Sequence, residues 1–137
     1  MKKQFCVAMM VLVVVLSTAG MTTAASHKNM VGTWSGVIHF VGWNSLAPEP
    51  FYYVAFEFTY LIENEDFTTG NFYGVQNGVN QFTGNVATNK RVTIVEYGNP
   101  GVYRILTATV SGKKMSGTMQ HFKPDQVDTG TLTLYKQ

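Results

Sequence analysis

From residue 31 onward, apolar positions alternate with polar ones and do not recur at intervals of three and four, the signature of strands and not helices. In residues 52–62 the even positions Tyr52, Val54, Phe56, Phe58, Tyr60 and Ile62 are apolar or aromatic, whereas Glu57 and Thr59 stand at odd positions. A strand patterned this way buries its even face. Eight strands are predicted, at residues 31–41, 52–62, 67–74, 81–86, 91–97, 102–110, 114–121 and 129–135. Val, Thr, Tyr and Phe, which suit a pleated and half-buried surface, dominate their apolar runs. In the first strand Trp34, Ile38 and Phe40 share a face with Gly32 and Gly36, and in the last Leu132 and Leu134 point the same way. The fifth and sixth strands are partly apolar on both faces, so parity leaves their orientation open.

The segments between strands, "IENEDF", "VQNGVN", "ATNKR", "YGNPG" and "VSGKKM", carry the Asn, Gly, Asp and Pro that tight reversals require. Links this short force antiparallel neighbours, because parallel pairing needs a crossover of a dozen or more residues. The expected fold is all-β, an eight-stranded antiparallel up-and-down barrel, with a β-sandwich as the alternative. The connections at 42–51, 75–80, 98–101 and 122–128 share one end and are the longer set. Those near 63–66, 87–90 and 111–113 are shorter, which predicts an open mouth and a closed base. Outward candidates Thr33, Ser35, Ser116, Thr118, Gln120, Thr131 and Thr133 are polar, unlike the apolar band of a membrane barrel. Integral membrane insertion of the mature chain is therefore not expected.

The first 25 residues differ in kind. A basic head at Lys2 and Lys3, an apolar run over 5–16 and small residues over 17–25 describe a secretory signal peptide. The run falls short of the roughly 20 residues that span a bilayer. The expected organisation is a signal peptide at 1–25 and a single barrel domain at 26–137, secreted or periplasmic. Removing Lys2 and Lys3 from the ten Lys and Arg leaves eight against eight Asp and Glu, so the mature domain is neutral. Nucleic acid is not an expected partner of such a chain. The one cysteine, Cys6, lies in the signal segment, which removes thiol catalysis and disulfides together.

Trp34 falls at the closed base, and the last strand returns there with "LTLYKQ", bringing Tyr135 and Lys136 beside the indole. A cation over an indole face contributes about 0.5–1 kcal/mol. The Gly32-Thr33-Trp34 motif, the eight strands and the late basic residue resemble the calycin group, which includes lipocalins, fatty-acid-binding proteins and avidins. The resemblance implies a ligand-binding barrel whose base is plugged by Trp34 and Lys136. The length is closest to avidins, yet Gly36 stands where they carry a biotin-contacting Asn, and Trp34 and Trp43 are the only tryptophans. Biotin is not the expected ligand.

Candidate ligand residues gather at the other end: Phe40, Trp43, Tyr52, Tyr97, Tyr103, Arg104 and His121, with "GWNSLAPEPFYY" as the longest loop. Aromatic walls with a few polar groups suit a small apolar or amphipathic molecule. Arg104 has two readings, an anchor for a carboxylate or phosphate, or a partner for Glu96. A filled interior is the alternative, since eight strands leave room only for side chains such as Phe56, Phe58, Tyr60, Phe72 and Phe82. The chain would then be a protein-interaction module, such as an inhibitor of a secreted hydrolase. His27, His39 and His121 lack metal-ligand spacing, and no Gly-x-Ser-x-Gly elbow is present. Glu63, Glu65 and Asp66 read as solvated turn residues. No enzyme activity, metal or cofactor is expected.

Overall fold

The computed structural model describes residues 27–42, 52–98 and 100–137, so the expected signal segment, Trp43 and the remainder of the 43–51 connection lie outside the described residues. Eight strands close on themselves in chain order, β1 (Gly32–Gly42), β2 (Tyr52–Asp66), β3 (Asn71–Gln76), β4 (Asn80–Val86), β5 (Arg91–Tyr97), β6 (Tyr103–Ser111), β7 (Lys114–Lys123) and β8 (Gln126–Lys136). Every neighbouring pair is antiparallel, and β8 returns to β1, so the up-and-down barrel holds and the sandwich does not. Closure follows from the short connections, which give each strand its sequence neighbour as its spatial one. Stepping from partner to partner, Gly32, Ile62, Gly74, Phe82, Glu96, Arg104, His121 and Asp128 lie on one line around the wall. The line returns to β1 one position past Val41↔Thr129, at Gly42, ten residues beyond its start at Gly32. That stagger tilts the strands and leaves an interior sized for side chains.

Two connections differ from expectation. "IENEDF" is not a turn: β2 continues to Asp66, with a register shift between Ile62 and Asn64, and the reversal lies at 67–70. The extra residue inverts the parity of the strand end, so Glu65 points in and is 6% exposed. It is not the solvated turn residue its neighbours suggest. It accepts a hydrogen bond from the Met30 backbone N–H at 2.6 Å. The 122–128 segment is likewise no long loop, because Lys123 pairs with Gln126 across a tight turn. Length asymmetry between the two ends therefore rests on the 43–51 connection alone.

Parity, once observed, resolves β5 and β6: Val92, Ile94 and Glu96, and Leu106, Ala108 and Val110, are buried. The base half of the interior is packed solid with Trp34, Ile62, Val86, Val92, Val110, Met115 and Leu134, all fully buried. Trp34 donates its indole N–H to the Met30 carbonyl at 2.8 Å, and Lys136 Nζ sits 5.8 Å from its ring centroid. The plug expected from Gly32-Thr33-Trp34 is thus built as a hydrogen-bonded cap, with residues 27–30 folded across it. Gly36 faces the same interior; a methyl group there would lie 2.1 Å from the Thr133 carbonyl oxygen. The wall at that point has room for hydrogen only.

Candidate functional site

Above the apolar base, the interior changes character within one register line. Glu96, Arg104, His121 and Asp128 are successive cross-strand partners on β5, β6, β7 and β8, all facing inward. Side chains paired this way have Cβ atoms about 4.5–5.5 Å apart, so four ionisable groups adjoin. Charges of that density inside a barrel survive only if they are paired and hydrogen-bonded. Arg104 Nη1 donates to Glu96 Oε2 at 2.9 Å, as one of the two readings of Arg104 required. Tyr60 O–H donates to the other carboxylate oxygen of Glu96. Lys123 Nζ donates to Asp128 Oδ2 at 2.6 Å, and the Gln126 side-chain amide donates to Asp128 Oδ1. The layer is therefore two ion pairs with His121 between them.

Its titration behaviour follows from that arrangement. Burial, with the negative charge and hydrogen bond of Glu96, pushes the Tyr60 phenol well above its ordinary range, with Arg104 opposing. Tyr60 is a neutral donor at any physiological pH. Burial holds His121 below the ordinary histidine value, and the cations Arg104 and Lys123 add to this against the opposing pull of Asp128. Its Nδ1 lies 3.9 Å from Asp128 Oδ2, too far for a hydrogen bond. Both His121 Nε2 and Arg104 Nε are buried with no hydrogen-bond partner. Donor capacity in this layer therefore exceeds what the protein itself uses.

Aromatic rings form the bed on which the layer rests. The Arg104 guanidinium carbon lies 5.6 Å from the Phe58 ring centroid, and Phe40 lies 6.3 Å from His121. Phe40 also meets Phe56 and Phe58 at 6.0 and 6.5 Å, and Phe56 is half exposed. On the β4–β6 side the rim holds a concavity of about 440 Å³, lined by Glu96, Arg104, Tyr97, Tyr103, Asn80 and neighbouring rim residues.

Of the residues singled out from the sequence, Tyr97, Tyr103 and Arg104 meet at this rim concavity, while Phe40 and His121 adjoin across the mouth. Tyr97 and Tyr103 point outward as a cross-strand pair, and Tyr103 stacks on Phe122 at 4.5 Å. Tyr52 is placed by its pairing with Gly42 at the mouth end of β2. Trp43 lies outside the described residues. Lys136 and Trp34 meet at the base, as expected. Sequence reasoning missed Tyr60 as a polar participant, and it missed Asp128 and Lys123 altogether. Among the described residues no group of three His, Cys, Asp or Glu side chains is arranged to hold a metal ion. Neither the family models nor the curated proteins searched match this chain.

Proposed function

We propose that the protein is a secreted or periplasmic, calycin-like binding protein that takes a small amphipathic ligand at the mouth of the barrel. The observation that carries this reading is the mouth layer itself: mutually paired polar groups, with the Arg104 side chain a quarter exposed, resting on Phe40, Phe56 and Phe58. A solid base means that the ligand rests on the rim and does not enter a deep cavity. Its apolar part covers the half-exposed Phe56, and its polar part approaches Arg104. Titration calorimetry of the secreted protein against medium-chain fatty acids, aromatic acids and their alcohols tests this. Binding that falls at least tenfold in Arg104→Lys, which keeps the charge but loses the planar fork, supports it. No binding across the panel overturns it.

One observation favours the protein-interaction reading. Among the described residues, 52–58 of β2 pair with β1 alone, because the β2–β3 ladder begins only at Tyr60↔Gln76. An unpaired strand edge of this length is a template for an added strand from another chain. Recovery of a secreted partner by the intact protein, abolished by Ala55→Pro, would select this reading over the first.

A further inference from the structure

The outer wall carries a second feature, which meets the rim concavity at Gln81 and Tyr97 and runs from there toward the base. Across β3, β4 and β5 lies a concavity of about 750 Å³ toward the base, adjoined by one of about 420 Å³ toward the mouth. The two share Tyr73 and Thr83, so they form one trough that follows the strands. The β2 bulge turns the end of that strand at the trough's base end. From Asn85 to Gln81 on β4 the trough runs about 14 Å.

Two exposed tyrosines mark it. Tyr73 on β3 and Tyr97 on β5 are 51% and 67% exposed. Tyr73, Thr83 and Val95 lie on one register line, and Tyr97 is two residues along β5 from Val95. Strand geometry places the tyrosines about 12 Å apart. Between and beside them stand Asn64, Asn71, Asn85 and Thr83. Asn64 reaches the Tyr73 hydroxyl at 3.3 Å, and Asn85 donates to Asn71 Oδ1 at 2.8 Å. Asn85 gives its second N–H to the Thr69 carbonyl at 3.0 Å, so it is left as an acceptor, while Asn64 and Asn71 keep donor and acceptor capacity. The charged groups here, Glu63, Glu65 and Asp66, are all acidic.

We infer that this trough binds a neutral oligosaccharide, with Tyr73 and Tyr97 each stacking on a sugar ring and the asparagines bonding its hydroxyls. An aromatic face is apolar and electron-rich, matching the C–H face of a pyranose, while side-chain amides match the paired donor and acceptor of vicinal hydroxyls. Anionic polymers are disfavoured by the carboxylates. An extended peptide is disfavoured too, because β3, β4 and β5 are paired on both edges and offer no backbone ladder. This inference goes beyond the mouth ligand and does not depend on it.

Calorimetry of the secreted protein against glucose, xylose and N-acetylglucosamine, each as monosaccharide and as di- to hexasaccharide, tests it. Affinity should rise with chain length, and Tyr73→Ala and Tyr97→Ala should each weaken it at least tenfold with the melting temperature unchanged. Tyr73→Phe should bind as the parent does, and so should Arg104→Lys, which separates this trough from the mouth. The inference is overturned if no oligosaccharide binds, if Tyr73→Ala binds as tightly as the parent, or if extended peptides alone bind there.

Discussion

Glu96→Gln keeps the shape of the side chain and removes the charge on which the mouth layer is built. Glu96 is 2% exposed and holds both Tyr60 and Arg104, the latter at 2.9 Å. Removing one partner of a fully buried pair costs roughly 3–5 kcal/mol, because the other charge is left uncompensated. An exposed pair is worth about 0–1 kcal/mol. The Arg104 side chain retains 25% of its exposure, and glutamine still accepts one hydrogen bond, so the cost lies between these limits, at about 2 kcal/mol. With a urea slope of about 1–3 kcal/mol/M, the unfolding midpoint should fall by about 1 M. Tyr60→Phe removes a donor to a charged acceptor and should cost about 1.5 kcal/mol. Because both changes act on one carboxylate, the double variant should cost less than the two singles together by at least about 0.5 kcal/mol. A Glu96→Gln midpoint indistinguishable from the parent, or strict additivity, would refute the claim that this layer is a coupled unit.

The same groups set the pH dependence. The unfolded Tyr60 phenol releases its proton near the ordinary value of 10.0, whereas the native one retains it. The native state then binds more protons, so stability should fall as pH rises past about 10, and urea titrations of Tyr60→Phe should lose that slope. His121 behaves in the opposite sense. Its native value lies below the ordinary 6.5, so the unfolded state takes up the proton first and stability should fall as pH drops below about 6.5. His121→Gln should flatten that limb in the same titration. At the base, Trp34→Phe leaves the Met30 carbonyl without its buried donor and should cost about 1–3 kcal/mol in thermal unfolding. Gly36→Ala forces a methyl group against the Thr133 carbonyl and should cost at least about 1–3 kcal/mol by the same assay.

Much of the barrel was legible because its turns and its parity are local properties. β5 lies at the residues expected from the sequence, 91–97, and the first strand differs by one residue at each end. The Trp34–Lys136 base was legible too, since antiparallel closure brings the last strand back to the start of the first. What failed was parity past a bulge. A single inserted residue near Glu63 inverts every later side chain, so "IENEDF" hides one buried carboxylate among exposed ones. No composition signal marks that insertion, because Glu65 carries the same polar label as Glu63.

The mouth layer was half legible for a related reason. The Glu96–Arg104 pair follows from a short connection between two strands, whereas its inward orientation is shown only by the burial of β5 and β6. His121 and Asp128 stand in the same relation across β7 and β8, yet reading 122–128 as a loop removed their register. The signal was present in "KPDQ": Pro followed by Asp is the chemistry of a tight turn, and a tight turn at 124–125 fixes His121 opposite Asp128. With both turns read as tight, the four ionisable residues fall on one register line, and burial in β5 and β6 then shows that the line faces inward. A line of ionisable groups on the inner face of a barrel has to be internally paired to fold at all. The Arg104 side chain, paired with Glu96 yet a quarter exposed, is then what supports the proposal of a mouth ligand, more than the count of aromatic residues does.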